Sequence, residues 1–347
     1  MGISNMSNDD ARYHCDMLLV ASRPLKPRKQ PSRFKRLAIP EDQVPQSFRV
    51  TERVLAILVA LAAHRFLSTD QIARLDGGSA AYVRHLLRLL HRHGLVDRPA
   101  GQAAYLSSFL HQGNVSLVYS ITRKGMRLLA EHRAPVDPRL DWTTKNTGTG
   151  SALFLAHALQ VSELMLALRL AMPADNSLRL IDHNDLLPSF PDATRARKFP
   201  YSLVVSIQQD LKPMTLTVIP DRLCAIRGAD GWGCYLALEI DRGTESLSAR
   251  SKKITAKATW RRKVAGYYAA FRQAKFAETW GFQGLRVLTI TTSDARIDHM
   301  LALQRDITND TAAGLFLYST WQRIAEHGVL GPACRSSSDD HISLVRT

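Results

Sequence analysis

The sequence predicts an α+β chain built in two parts. A helical N-terminal part is closed by a pair of short strands, and a larger α/β part with one mixed sheet follows. Three observations carry the prediction. Residues 51–132 hold three apolar stripes of helical period, then two short alternating runs. A polar stretch at 134–150, with Pro135, Pro138, Gly148 and Gly150, separates the parts. Beyond it, a long apolar helix leads into short strands that then alternate with helices, the order of a mixed sheet.

The length of 347 residues suits roughly two domains at about 150 residues each. Hydrophobic residues make up 45% and charged residues 22%, which excludes a disordered, collagenous or coiled-coil chain. Lys plus Arg number 46 against 31 Asp plus Glu, a net charge of +15 that points to a polyanionic partner. Nucleic acid is the first candidate and an anionic membrane surface the second. The longest unbroken apolar stretch ends at His64 after nine residues from Leu55, far short of a span, and the apolar run 153–172 carries His157, Glu163 and Arg169. It reads as a core helix, so no membrane partner is expected. Residues 1–16 are polar and have no signal-peptide pattern, and a bacterial-type cytoplasm is expected. Cys15, Cys224, Cys234 and Cys334 make no disulfide framework and no zinc pattern; Cys224 and Cys234 read as reduced thiols across a hairpin.

Residues 1–47 read as a basic flexible tail. Arg23, Lys26, Arg28, Lys29, Arg33, Lys35 and Arg36 fall together with three prolines and no acid, either a solubilising tail or a phosphate-binding arm. The first helix is 52–64, with Val54, Leu55, Leu58 and Leu61 on one face. The second starts at Ser68, where Gln71 three residues on makes a capping box, and stops at Gly77-Gly78. The third runs from Ser79 to His93, ended by Gly94, with Val83, Leu86, Leu87 and Leu90 inward. Its other face carries Arg84, Arg88 and Arg92 at helical spacing, beside Tyr82 and His85. Strands are expected at 103–109 and 115–121 around a turn at 111–114, and Thr122 caps a helix over 123–132. Three helices and a two-stranded wing make a winged helix-turn-helix over 48–133. The run Tyr119-Ser120-Ile121-Thr122-Arg123-Lys124-Gly125 resembles the wing and following helix of bacterial winged-helix regulators. Double-stranded DNA is the partner such a helix fits, with Ser79, Tyr82, Arg84, His85, Arg88 and Arg92 as contacts.

The second domain is expected over 151–325, with a tail at 326–347. Its helix at 151–171 is followed by strands at 178–181, 201–207, 216–226 and 234–240, and by a basic helix at 245–272. A strand at 285–291, a helix at 295–307 and a strand at 314–319 complete it. Arg250, Lys253, Lys257 and Arg261 form one stripe along the basic helix, a second phosphate-binding face or a solvated one. His91 and His93 look like a metal pair but sit at a helix C-terminus, where imidazoles favour the dipole. No phosphate-binding glycine loop and no serine-hydrolase elbow is present.

Pro220-Asp221 falls in one strand and Glu239-Ile240-Asp241 at the end of the next, with Glu163 inside the preceding apolar helix. Convergent carboxylates suit Mg²⁺ or Mn²⁺. A helix glutamate, a Pro-Asp and an acid-x strand end, then a basic helix, resemble the PD-(D/E)XK nuclease superfamily over about 151–320. The resemblance implies a restriction-endonuclease-like fold and a metal held by Asp221, Glu239 and Asp241. Asp241 stands where that superfamily has its lysine; Lys253, Lys257 or Lys263 of the next helix would supply it. The implied catalytic set is Glu163, Asp221, Glu239, Asp241 and Lys263. With the winged helix, the run Leu238-Glu239-Ile240-Asp241-Arg242-Gly243-Thr244-Glu245 and the later Lys263 and Tyr267 resemble the replication-relaxation family of plasmids and integrative elements, over about 50–275. The expected function is a DNA-binding accessory protein of a mobile element with a catalytically silent nuclease-like domain and no cofactor. The alternative is a Mg²⁺-dependent endonuclease or nickase. A third reading is a module that recruits a relaxase or replication initiator.

Overall fold

A computed structural model describes residues 48–99, 101–102, 105, 116–134, 152–209, 212–243 and 260–345. The expected basic tail, the 111–114 turn, and Arg250, Lys253 and Lys257 lie outside the described residues. The chain is α+β and divides into two compact units between Leu166 and Ala167. The sequence places the boundary earlier, in the polar stretch before residue 151. The division instead falls inside the long apolar helix, because that helix packs its polar groups against the N-terminal unit.

In the N-terminal unit, α1 (Glu52–His64) is capped by Thr51, whose side chain accepts from the Val54 N–H. Strand β1 (Leu67–Ser68) leads straight into α2 (Thr69–Asp76), where Ser68 and Gln71 form the reciprocal capping box. Gly77, at φ +69°, ends α2 in the left-handed conformation that glycine adopts without strain. Helix α3 (Ala80–Arg92) follows, then β2 (Val96–Asp97), β3 (Val118–Ile121) and α4 (Arg123–Glu131), capped by Thr122. The three strands form an antiparallel sheet in the order β1-β3-β2. Its core joins Val54, Leu58, Leu61, Ile72, Leu87 and Ile121, all essentially inaccessible to solvent. Helix α5 (Ala152–Leu170) carries Ser162, whose hydroxyl donates to the Phe66 carbonyl at 3.1 Å. It is long and apolar enough to cross a membrane by length and composition, but 56% of its apolar window is buried within the protein.

The wing differs from expectation. Strand β3 pairs with Leu67–Ser68 and with Val96–Asp97; the run expected at 103–109 lies, apart from Tyr105, outside the described residues. Within that run Tyr105 is described; its N–H bonds the Gly101 carbonyl at 3.2 Å in a helical turn. The Gln102 side chain stands in for a strand: it accepts from the Val118 N–H (3.2 Å) and donates to the Val118 carbonyl (3.4 Å).

In the C-terminal unit, β4 (Leu178–Ile181) leads through the short helices α6 (His183–Leu186) and α7 (Asp192–Arg195) to a separate two-stranded hairpin of β5 (Leu203–Gln209) and β6 (Lys212–Val218). Next come β7 (Arg222–Gly228), β8 (Gly233–Ile240), α8 (Trp260–Arg272), α9 (Lys275–Trp280), β9 (Arg286–Thr291), α10 (Asp294–Thr308), β10 (Phe316–Thr320) and α11 (Trp321–His327). The main sheet has the order β10-β9-β8-β7-β4. Strands β4, β7 and β8 are antiparallel neighbours, and β8, β9 and β10 are parallel. The strand expected at 216–226 is two strands in different sheets, split at Ile219-Pro220-Asp221, where proline lacks a ladder donor. The segment read as a tail from 326 is packed instead. Tyr318 and Arg335 exchange backbone hydrogen bonds at 2.8 Å, and Leu344 is fully buried, so the last residues cover the edge of β10.

At Gly125, on the first turn of α4, an added Cβ would stand 2.3 Å from the Leu95 carbonyl oxygen and 2.7 Å from Ile121 Cγ1. Helix preference alone favours alanine there by about 1 kcal/mol. The clash with fixed backbone outweighs that, so Gly125→Ala should destabilise the N-terminal unit by about 1–3 kcal/mol. A denaturant titration that shows an unchanged or raised midpoint would contradict this packing.

Candidate functional site

Two places in the chain gather functional side chains, one in each unit. In the C-terminal unit the register Arg222↔Leu238 sets Asp221 beside the end of β8. Its carboxylate accepts from the Ile240 N–H at 2.8 Å, which fixes it there. Glu239, the residue before, is completely buried. Lys263 Nζ lies 2.9 Å from its Oε2, and the Tyr267 hydroxyl donates to its Oε1 at 2.6 Å. Lys263 and Tyr267 are four residues apart on α8, so one helix face delivers both. A fully buried carboxylate is costly unless paired and hydrogen-bonded, and this one has a cation on one oxygen and a phenol on the other. Burial pushes the Glu239 carboxyl up to about 7; the charge of Asp221 adds to the rise, while Lys263 and Tyr267 oppose it. Burial, then Glu239 itself, hold the Tyr267 phenol well above its ordinary value, so it acts as a donor.

The other expected carboxylates go elsewhere. Asp241 lies just past β8, where its Oδ2 accepts from Thr291 Oγ1 at 2.6 Å and its Oδ1 from Arg296 at 2.8 Å. Arg296 bonds both carboxylate oxygens, and the Gly243 N–H adds a third partner at 3.2 Å. Glu163, in the N-terminal unit, accepts from Gln71 Nε2 at 3.0 Å and from Arg74 at 2.5 Å. It is 3% exposed and ties α5 to α2. Each is a buried carboxylate satisfied by an arginine that lies far away in sequence. Among the described residues no group of three or more His, Cys, Asp or Glu side chains is arranged to hold a metal. Asp221 and Glu239 remain as a donor pair, but both Glu239 oxygens already have partners. The residues as arranged do not fit a Mg²⁺ site, and no step through one is derived.

In the N-terminal unit the exposed face of α3 carries Tyr82, Arg84, His85, Arg88 and Arg92. None of the three arginines forms an ion pair with a described residue. Ser79, at the start of α3, is exposed and makes no capping bond, unlike Thr51, Ser68 and Thr122. No acid lies in the first turn of α3. That leaves its N-terminal amides and a hydroxyl facing outward, as at an anion site. Tyr82 is 47% exposed, with the Arg53 guanidinium 4.5 Å from its ring centre. Arg53 also bonds both oxygens of Asp76 at the end of α2, so it braces the turn into α3. Sequence reasoning missed Arg53, Arg74 and Arg296 as site-shaping residues, and none of them left a local signal. Tyr267, named there beside Lys263, shares a helix face with it. Arg261, expected in a phosphate-binding stripe, bonds Asp306 instead.

A family model described as replication-relaxation matches residues 58–285, well over half of the chain. No curated protein and no solved structure matches it.

The raised Glu239 value has a pH consequence. Below the ordinary carboxylate value of 4.5, the folded and unfolded chains both hold this proton. Between there and about 7, the unfolded chain releases it while the folded chain keeps it, so this group's share of stability falls as pH rises. Glu239→Gln removes the group. The variant should therefore gain stability relative to the parent between pH 5 and pH 8, read as the difference in denaturant midpoints. A relative loss over that interval would mean that the Lys263 pairing outweighs burial.

Proposed function

Since the chain belongs to the replication-relaxation family, we propose that it is a DNA-binding accessory protein of a mobile element, acting in plasmid replication or relaxation. The family gives the context; the observation that carries the reading is the exposed arginine face of α3. Arg84 and Arg88 lie one turn apart with no ion pair to a described residue, and Arg92 extends the row. Arginines in that state match the major-groove edge of guanine or the phosphates beside it. Tyr82, His85 and the uncapped Ser79 flank the row, and strand β2 packs against the helix. Double-stranded DNA is the partner in this reading, and the cytoplasm is where it meets it.

The C-terminal unit serves as a scaffold. Its strand order and its Asp221–Glu239–Lys263 grouping favour a second reading, a metal-dependent nickase. That reading is weakened by the partners on both Glu239 oxygens and by Asp241's engagement with Arg296. A relaxase or replication initiator is the protein partner that the family context suggests.

The test is a gel shift with duplex DNA at two salt concentrations. Arg84→Ala with Arg88→Ala should weaken binding by about tenfold or more, and the parent's affinity should fall steeply with salt. Unchanged affinity in the double variant would sink groove docking by α3. Supercoiled plasmid incubated with the protein and Mg²⁺ or Mn²⁺ should stay intact; nicking that disappears in Asp221→Ala would favour the nickase.

A further inference from the structure

The C-terminal unit presents an aromatic side chain on a basic loop that no part of the reading above uses. Phe199 lies between α7 and β5 in the run Arg195-Ala196-Arg197-Lys198-Phe199-Pro200 and is 60% exposed, more than the other large apolar side chains among the described residues. The loop is not loose. The Arg197 N–H bonds the Thr194 carbonyl at 3.0 Å. The Phe199 carbonyl accepts from the Ser202 hydroxyl at 2.7 Å and from the Ser202 N–H at 3.2 Å. The next carbonyl, of Pro200, accepts from Nε1 of the fully buried Trp280 at 3.1 Å. The backbone is thus anchored to the core while the ring is held in solvent.

Its neighbours are cationic. Arg195 is neutralised by Asp192. Arg197 and Lys198 are exposed and form no ion pair with a described residue. The Lys198 ammonium stands 5.4 Å from the Phe199 ring centre. The pairing Leu203↔Val218 brings the end of β6 to the start of β5. Ile219, 55% exposed, therefore lies at the same end of the hairpin as this loop, two residues before Asp221.

We propose that this loop binds single-stranded DNA, with an unpaired base stacked on Phe199 and the flanking phosphates held by Arg197 and Lys198. A base stacks on an exposed ring through its π-face, and every unpaired base has one; in a duplex those faces are already covered. Lys198 beside the ring and Arg197 two residues before it, neither in an ion pair with a described residue, supply the charge complementarity. The proposal rests on the DNA-binding reading, but on different residues in the other unit.

The experiment is fluorescence anisotropy with a labelled oligothymidylate and, separately, a labelled duplex of equal length. Phe199→Ala should weaken oligothymidylate binding about tenfold and leave duplex binding within twofold. Arg197→Ala with Lys198→Ala should flatten the salt dependence of oligothymidylate binding by about two phosphate contacts. Arg84→Ala with Arg88→Ala should do the reverse of Phe199→Ala, weakening the duplex and sparing the single strand. Thermal unfolding of Phe199→Ala should match the parent, since the ring is exposed. Duplex binding with no oligothymidylate binding, or oligothymidylate binding unmoved by Phe199→Ala, overturns this proposal alone. Loss of both in the parent overturns the DNA reading with it. Phe199-dependent sedimentation with phosphatidylserine vesicles, in a protein that ignores oligothymidylate, would also overturn it and mark a membrane contact.

Discussion

The C-terminal unit is arranged around one buried carboxylate. Glu239 has no access to water, so its charge must be met within the fold. Lys263 and Tyr267, four residues apart on one face of α8, meet one oxygen each. This fixes the rotation of α8 about its axis. With that rotation set, Trp260 and Val264 also turn inward and Gly266 falls against β6. A Cβ there would stand 2.2 Å from Val218 Cγ2, so the close approach of helix to hairpin depends on glycine. Asp221, tied to the Ile240 N–H, then locks the start of β7 to the end of β8. The same constraint limits the chemistry: a carboxylate held at both oxygens positions a helix better than it holds a metal.

Much of the fold is legible in the sequence because it is local. The α1 stripe, the Ser68–Gln71 capping box and the Thr122 cap each use residues within one turn, and they form where spacing puts them. What the sequence hides is non-local. Glu163, Asp221, Glu239 and Asp241 look alike as short acidic signatures, yet their fates are set by partners far along the chain: Arg74 for Glu163, Lys263 for Glu239 and Arg296 for Asp241. Nothing in an acid-x-acid string says which carboxylate an arginine 55 residues away will claim. The partner of β3 is hidden for a related reason. The two-residue run at Val96–Asp97, too short to signal itself, sits directly after α3 and pairs with β3.

Two groups of arginines stand out among the described residues. One group neutralises buried carboxylates: Arg74 with Glu163, Arg296 with Asp241, and Arg222 with Asp182 at 2.7 Å. Removing one member of such a pair strands a buried charge, at a cost of roughly 3–5 kcal/mol. Beside the Asp182–Arg222 pair, His183 shows the same logic. Burial, and then the nearby Arg222, push its imidazole down to about 3, and its Nδ1 accepts from the Leu223 N–H at 3.2 Å as a neutral acceptor. The second group, Arg84, Arg88, Arg92 and Arg197, forms no ion pair with a described residue. Like charges in one row repel. Their concentration on α3 and on the Phe199 loop is therefore a property of the surface.

The N-terminal unit is braced at α2. Its Gln71 closes the capping box with Ser68 through Oε1, and its Nε2 donates to the Leu159 carbonyl and to Glu163. Arg74, one turn on, completes the Glu163 pair, and Asp76 at the helix end takes Arg53 of α1. One short helix is thus fixed at three levels, to β1 by its cap, to α5 by a buried carboxylate and to α1 by a guanidinium. The Gly77 turn then leaves α3 little freedom in where it starts. Glu163, the carboxylate whose motif suggested catalysis, is held by Gln71 and Arg74 and ties α2 to α5.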